Sequence, residues 1–122
     1  MTTARQQKFI KLNVNDVTPW QETCGQIRCL IEEKDQTPCE LHHLKITHSK
    51  LHYHKLTDEY YYIIDGKGTM RIDDEEVPLS KGDTLYIPRG CKHQAKGDLT
   101  VLVICTPRGV MNDIYELEEG SN

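Results

Sequence analysis

Two histidines and a glutamate lie close together in the segment LHYHKLTDEYYYIIDG, which runs from Leu51 to Gly66. Residues i and i+2 of a β-strand point to the same face, so His52 and His54 can point together into the space that this face covers. Glu59 follows after four further residues. Imidazole nitrogens and a carboxylate oxygen bind divalent transition metals, so the spacing predicts a metal site on a strand.

The sequence predicts that the elements that position these side chains are β-strands. Short branched or aromatic segments recur between turn signals, and no long stretch has the i, i+3, i+4 apolar spacing of an amphipathic helix. The pattern predicts an all-β sandwich or barrel. The predicted strands are Lys8 to Leu12, Gln26 to Ile31, Glu40 to Thr47, Lys50 to Lys55, Glu59 to Ile64, Thr69 to Ile72, Glu76 to Leu79, Thr84 to Ile87, Lys92 to Ala95 and Thr100 to Cys105.

Turns are expected where glycine and aspartate cluster, because Gly accepts positive φ and the Asp side chain bonds back to its own backbone. Pro78 should stand at a strand end, an edge or a bulge, since it cannot donate a ladder hydrogen bond. The clusters are Asp65-Gly66 with Gly68, Asp73-Asp74, Lys81-Gly82-Asp83 and Lys96-Gly97-Asp98.

Length and charge limit the classes of protein that this chain can belong to. The 122 residues suit one domain with a single core. A net charge of −4 with scattered Lys and Arg argues against a nucleic-acid partner, because neutralising phosphates needs a concentrated basic surface. No apolar run approaches the roughly 20 residues of a membrane span, and MTTARQQKF lacks the apolar segment of a signal peptide. We expect a cytoplasmic protein with no membrane partner.

The cysteines give no sign of a disulfide framework or a zinc ribbon, because their number is odd and no CxxC pair occurs. We expect reduced thiols that mostly act as small buried apolar residues. They are Cys24, Cys29, Cys39, Cys91 and Cys105.

The spacing from His52 to Gly66 resembles the first motif of the cupin superfamily, in which His-x-His is followed by Glu and Gly. The second motif of that family contains Gly, Pro-x-Gly and His. The segment 82–97 is similar to it, with Gly82, then Pro88-Arg89-Gly90, then His93. Ile46 stands where the family usually has Gly, and Gly97 where the second motif often closes with Asn. Neither position is a metal ligand in the family.

The resemblance implies a double-stranded β-helix, the jelly-roll or cupin β-barrel, as a single domain over residues 1–122 with a frayed C-terminal end. His52, His54, Glu59 and His93 would hold one divalent transition metal, which could be Fe, Mn, Ni, Co or Zn. A six-coordinate ion would keep about two open positions, where water or substrate is polarised. The alternative is an inherited site that stays empty.

Parity places a few other side chains near this site. Tyr61 shares the face of Glu59, so it is a tentative catalytic acid or base, or else a wall residue. Cys91 lies two residues before His93 and could point inward as a thiol beside the metal ligands, or be simply buried. Lys50 shares the parity of His52 and could meet an anionic substrate, but we expect a solvated side chain.

The remaining histidines and acids are expected to lie outside the site. His48 is about 13 Å along the strand from His52. His42 and His43 point to opposite faces, and we expect both to face solvent or a neighbouring subunit. The acidic run 73–76 reads as a solvated turn rather than a calcium site.

Function must be argued from the site, because this fold hosts unrelated activities. The first hypothesis is a metalloenzyme of dioxygenase-like type that acts on a small molecule. A metal-dependent sugar isomerase, epimerase or lyase is the alternative, and Tyr61 would then transfer protons. A non-catalytic cupin that binds or senses a small ligand is a further one. The resemblance also implies a homodimer in which the strand Lys8 to Leu12 joins the partner's sheet and covers an edge.

Overall fold

The computed structural model describes residues 9–110 and 112–118. Within these ranges the chain forms nine β-strands and two short 3₁₀ turns, Val14–Asp16 and Glu33–Asp35, so the all-β prediction is confirmed. The described residues contain no helix long and apolar enough to cross a membrane. The strands are β1 (Trp20–Glu22), β2 (Gly25–Ile31), β3 (Glu40–His48), β4 (His52–Tyr53), β5 (Asp58–Ile72), β6 (Glu75–Ser80), β7 (Thr84–Ile87), β8 (His93–Thr106) and β9 (Tyr115–Glu116).

Two long antiparallel strands, β5 and β8, join the rest of the sheet. They pair along almost their whole length, from Asp58 opposite Thr106 to Ile72 opposite His93. Strand β8 also pairs with β3 and β4, while β5 pairs with β6 and β7. The remaining ladders join β1 to β2, β2 to β3 and β4 to β9. Because β8 pairs with both β4 and β5, the metal-ligand segments on these three strands are held in one framework.

Two of the predicted turns are instead bends inside strands. The predicted strands on either side of Gly66 are one strand, β5, and those on either side of Gly97 are one strand, β8. Gly66 and Gly97 have φ of 93° and 128°, and a Cβ atom at Gly66 would overlap the carbonyl oxygen of Asp98. Glycine therefore lets each strand bend closely against the other without breaking the ladder. The turns at Asp73-Asp74 and Lys81-Gly82-Asp83 are found as predicted.

Other strand predictions differ at the chain ends and around the first motif. Residues 9–12 form no strand, and Lys8 lies outside the described residues. Only His52–Tyr53 of the segment predicted from Lys50 to Lys55 is a strand. Strands β1 and β9 were not predicted, because two or three residues are too few to show a period. Pro78 lies in β6, which pairs only with β5 and is thus an edge strand, as expected.

The interior changes from apolar to polar along the barrel. Three rows of inward side chains cross β3, β8 and β5, and they are Leu44–Val101–Ile63, His42–Val103–Tyr61 and Glu40–Cys105–Glu59. The first row is apolar and fully buried, whereas the third carries two buried carboxylates. Tyr61 is inward and Tyr60 and Tyr62 are exposed, so the parity predicted for this strand is confirmed. The polar rows mark the end of the barrel where chemistry can take place.

Replacing Gly66 by Ala should destabilise the fold more than replacing Gly82 by Ala. The two glycines have nearly equal φ, 93° and 92°, so both variants carry a similar conformational cost of about 1–2 kcal/mol. An added Cβ meets the Asp98 carbonyl at Gly66 but nothing within 4 Å at Gly82. Urea unfolding should therefore show a larger loss of stability for Gly66→Ala. Equal losses would contradict the close approach of β5 to β8.

Candidate metal centre

Three of the four predicted ligands are brought together as a histidine cluster. His52 lies in β4 directly opposite His93, the first residue of β8, and His54 follows β4 by one residue. One ligand nitrogen from each ring lies within 4.8 Å of the others. All three side chains are buried. The short pairing of β4 with β8 thus brings the three imidazole rings close together.

Backbone carbonyls fix the orientation and the tautomer of each of these histidines. The Nδ1 atoms of His52, His54 and His93 each lie within hydrogen-bond distance of a carbonyl oxygen, which can only accept. The acceptors, in the same order, are the carbonyls of Lys50, Asp113 and Cys91, at 2.7, 2.6 and 2.9 Å. The proton is therefore on Nδ1, and Nε2 presents a lone pair. Metal-ligating histidines are held in the same way.

Glu59 adds a carboxylate oxygen to the same point. Its Oε1 lies 3.1 Å from Nε2 of His54 and 3.2 Å from Nε2 of His93. None of these three atoms makes a hydrogen bond, although all are buried. A buried polar atom without a partner costs about 1–3 kcal/mol, and a cation between the three atoms would remove that cost. The donor set fits a divalent transition metal.

The charges of the ligands favour a cation as well. Burial raises the pKa of Glu59, but the neighbouring His54 and His93 outweigh it and hold that pKa well below its ordinary value. Burial, helped by His93, lowers the pKa of His52 to about 4. Burial also lowers the pKa of His54, but Glu59 and the Asp113 carbonyl leave it above the ordinary value. At neutral pH a proton on His54 therefore competes with a metal.

Cysteine thiols line this site, although not the one that the sequence suggested. Sγ of Cys24 lies 3.3 Å from Nε2 of His52, and Sγ of Cys105 lies 3.8 Å from Oε2 of Glu59. Cys91 instead contacts Oδ2 of Asp73 at 3.4 Å. Cys91 is partly buried against the apolar core, which agrees with the alternative of a simply buried thiol. Strand parity does not extend back to it, because β8 begins at His93. Cys24 lies in the turn between β1 and β2, where no parity could indicate it.

The C-terminal segment holds the loop that carries His54. The buried carboxylate of Asp113 accepts hydrogen bonds from the backbone N–H of Lys55 at 3.0 Å, from the N–H of Leu56 at 2.7 Å and from the hydroxyl of Thr57 at 2.9 Å. The Asp113 carbonyl accepts from His54 itself. These partners lie 56 to 59 residues away in sequence, so no local pattern marks Asp113. The expected fraying concerns residues 119–122, which lie outside the described residues.

Three side chains that were expected at the surface have different outcomes. Lys50 is exposed and pairs with Glu116 at 3.5 Å, which confirms a solvated side chain. His48 is exposed as well. His42 was expected at the surface, but it is 2% exposed. It lies on the inward face of β3, and only His43 points outward, so the predicted opposite faces are correct and the predicted environment of His42 is wrong.

A cavity opens beside the histidine cluster at the polar end of the barrel. Its empty volume is about 520 Å³, part of which is open to solvent. His54, Glu59 and Tyr61 line one side, and Glu40 and His42 also line it. Burial raises the pKa of Tyr61 well above its ordinary value, so its hydroxyl stays protonated and can donate a hydrogen bond. The three histidines and Glu59 can hold a metal next to this cavity, which has room for a small molecule.

Metal affinity should fall as the pH is lowered from 8 to 6. The pKa of His54 is raised above the ordinary 6.5, so protons compete for this ligand increasingly as the pH falls, whereas the pKa of His52, about 4, lies below that range. One competing proton weakens binding by up to about tenfold per pH unit. Calorimetric titration with Zn²⁺ should show this loss, and His48→Ala should behave like the wild type. A constant affinity would contradict the proton competition at His54.

Asp113→Ala should weaken Zn²⁺ binding by about 10- to 100-fold, the usual effect of removing a group that positions ligands. The substitution leaves two backbone N–H groups and a hydroxyl without their acceptor. The exposed Asp74→Ala is the matched control and should bind Zn²⁺ as the wild type does. The measurement is competition with a chromogenic chelator. Equal affinities of the two variants would mean that the hydrogen bonds of the Asp113 carboxylate do not position His54.

Several known proteins are similar to this chain in sequence. The chain is 39% identical over 57 residues to an uncharacterized protein of Methanocaldococcus jannaschii, covering 45% of this chain and 46% of that protein. It is 29% identical over 89 residues to the tetracenomycin polyketide synthase protein TcmJ of Streptomyces glaucescens, covering 69% and 60%. It is 36% identical over 47 residues to quercetin 2,3-dioxygenase of Bacillus subtilis, covering 38% and 14%. The chain thus spans less than two thirds of each of these relatives.

Solved structures share the fold. A protein from Planctomyces limnophilus superposes with a TM-score of 0.84 at 21% identity, covering 92% of this chain and 99% of that one. The nucleoside dehydratase Pac13, from Streptomyces, gives 0.78 at 13% identity, covering 91% and 92%. Ectoine synthase from P. lautus gives 0.75 at 18% identity, covering 93% and 96%. A family profile described as Cupin domain matches residues 41–106, more than half of the chain, and the chain therefore belongs to the cupin family.

Proposed function

We propose that this protein is a mononuclear metalloenzyme that acts on a small organic molecule held in the cavity, by a dioxygenase-like reaction. The observation that carries the proposal is the convergence of three buried atoms that have no hydrogen-bond partner, Nε2 of His54, Oε1 of Glu59 and Nε2 of His93, beside a partly open cavity. His52 completes the ligand set. The bound ion supplies a Lewis acid with open coordination positions, and Fe, Mn, Co, Ni and Zn all suit these donors.

The walls of the cavity favour an uncharged, hydroxylated substrate. Among its described lining residues there are carboxylates at Glu22, Glu40 and Glu59 but no Lys or Arg. Phosphorylated substrates need cationic donors of that kind, so they fit poorly. Ile27 and Leu44 give apolar contact area, and Tyr61 offers a hydroxyl donor. A small aromatic or enediol molecule matches this combination of surfaces.

The similarity to quercetin 2,3-dioxygenase supports O₂ chemistry over other metal-dependent reactions. It concerns 38% of this chain and 14% of that enzyme, so it does not extend to the substrate of the enzyme. The partly open cavity gives O₂ and a substrate a common path to the ligands.

The test is O₂ uptake by protein loaded with Fe²⁺ under anaerobic conditions. Catechols, flavonols and α-hydroxy ketones are added in air-saturated buffer, with an oxygen electrode and mass spectrometry of the products. The expected result is about one O₂ consumed per product formed, with a loss of at least about 10²-fold in Glu59→Ala but not in the exposed His48→Ala. Turnover that proceeds equally well without O₂ would contradict the dioxygenase-like reaction.

A metal-dependent lyase, or a sugar isomerase or epimerase, is the second candidate. The buried Glu40–His42 pair in the cavity wall favours it, because such reactions need a group that moves protons. The likeness to a nucleoside dehydratase is a likeness of fold. Turnover under nitrogen would select this candidate. A ligand that raises the melting temperature without any product would instead indicate a binding or sensing protein.

We also propose a homodimer that forms on the outer face of the sheet. Tyr86, Tyr60 and Ile104 form one cross-strand row there, with 49%, 45% and 39% of their surface exposed. Phe9, in the segment expected to join the partner's sheet, is 74% exposed and lines a groove with Ile104. Light scattering at micromolar concentration should give twice the chain mass of 14.1 kDa, and Tyr60→Glu should shift it toward one. A monomeric wild type would remove the proposal.

The free thiols support a proposal for the compartment. All five cysteines are free, and Cys24 and Cys105 lie against the metal ligands, where oxidation would disturb them. A reducing compartment protects such a site, so we propose that the protein works in the cytoplasm.

A further inference from the structure

A second pair of buried polar side chains faces the cavity, apart from the metal ligands. His42 and Glu40 lie on the inward face of β3, with 2% and 3% of their surface exposed. Nε2 of His42 is 3.1 Å from Oε1 of Glu40. The other carboxylate oxygen accepts the backbone N–H of Gly109 at 2.6 Å. Glu40 is thus held from two sides, and it holds the imidazole in turn.

This contact determines which nitrogen of His42 is free to react. A carboxylate only accepts hydrogen bonds, so the proton of the neutral ring is on Nε2 and the lone pair is on Nδ1. Nδ1 of His42 is buried and has no hydrogen-bond partner. Leaving such an atom unpaired costs about 1–3 kcal/mol, which a hydrogen-bond donor on a bound molecule would recover. The cavity is the space from which that donor can come, because His42 lines it.

The register of the strands places His42 on the same inner face as Glu59. His42, Val103 and Tyr61 form one inward row, and Glu40, Cys105 and Glu59 form the next. Strand β8 lies between β3 and β5, so roughly 10 Å separates the backbones of these two strands. His42 and Glu59 line one cavity. A molecule that reaches Glu59 and its neighbours can therefore present a hydroxyl group to His42.

We propose that His42, oriented by Glu40, is the general base of this site and removes a proton from a hydroxyl group of the substrate. The O–H bond breaks, its electron pair stays on the substrate oxygen, and the proton moves to Nδ1 of His42. The resulting imidazolium keeps its Nε2–H bond to the Glu40 carboxylate, which stabilises the new charge. No oxidant or reductant takes part. The assignment rests on the proposed function in one respect, that the substrate binds in this cavity.

The surroundings of His42 suit this role. Burial lowers its pKa below the ordinary value and the Glu40 carboxylate offsets part of the effect, so the ring is neutral and able to accept a proton at neutral pH. The other ionisable groups that line the cavity are Glu22, Cys24, His54, Glu59, Tyr61 and Cys105. The carboxylates among them favour the imidazolium once it forms, and the raised pKa values of Tyr61 and the two thiols keep those groups uncharged.

Catechol binding to zinc-loaded protein tests the assignment, because Zn²⁺ has no redox chemistry and catechol is protonated at pH 7. Ultraviolet difference spectra report whether bound catechol has lost a proton. Calorimetry in buffers with different ionisation enthalpies counts the protons released to solvent. The zinc content of every sample is measured first, so that loss of the metal site is seen separately from loss of the base. His43→Gln, on the outer face of β3, is the matched control.

Wild-type protein and His43→Gln should bind catechol as the anion with close to zero protons released, because His42 keeps the proton. His42→Gln should bind at least about tenfold more weakly, and any anion that it binds should be accompanied by about one released proton. Glu40→Gln, which keeps the ring and removes its charged partner, should lie between the two and serves if His42→Gln does not fold. Unchanged affinity and proton count in His42→Gln would overturn the proposal, as would zinc-loaded wild type that does not bind catechol.

Discussion

The structure depends on three imidazole rings whose Nδ1–H groups are committed to backbone carbonyls. Each of these hydrogen bonds leaves an Nε2 lone pair directed away from the backbone, in a place that solvent hardly reaches. Two of these nitrogens, together with Glu59 Oε1, have no donor to satisfy them. An arrangement with this many unpaired lone pairs is unfavourable by itself, and a divalent cation bound between them would remove that cost. Three features hold these rings in place. They are the short pairing of β4 with β8, the position of His93 at the start of β8, and the hydrogen bonds from Asp113 to the loop that carries His54.

Some rows of inward side chains in the barrel stabilise the fold, and others line the cavity. The row that contains Ile63, Val101 and Leu44 is apolar and closes one end, as a small β-fold requires of its core. The next two rows carry Glu40, His42, Tyr61 and Glu59 without any Lys or Arg among the described cavity residues. Negative charge concentrated in a buried space favours the binding of a cation. The three histidines are where that cation can bind. Glu59 on β5 and His42 on β3 line the same cavity and are two strands apart.

Short spacings in the sequence indicated part of the candidate site, and the resemblance to the second family motif added His93. His52 and His54 are two residues apart, and Tyr61 follows Glu59 with the same parity on one regular strand. Long-range relations were not predictable. Asp113 acts on residues more than fifty positions away, and Cys24 reaches His52 from a turn that has no period. Gly66 and Gly97 signal turns in sequence, yet tertiary pairing makes them bends in continuous strands. His42 was misplaced because a polar residue on an alternating strand is ordinarily outward, and only the fold shows which face is covered.

The most direct test of the account is elemental analysis by inductively coupled plasma mass spectrometry, on tag-free protein purified without added metal or chelator. The same measurement is made on His54→Ala after both proteins have been reconstituted with Fe, Mn, Co, Ni or Zn and desalted. The account predicts about one equivalent of a transition metal per wild-type chain and a large loss in the variant. A wild type that binds none of these ions, or a variant that keeps a full equivalent, would contradict it.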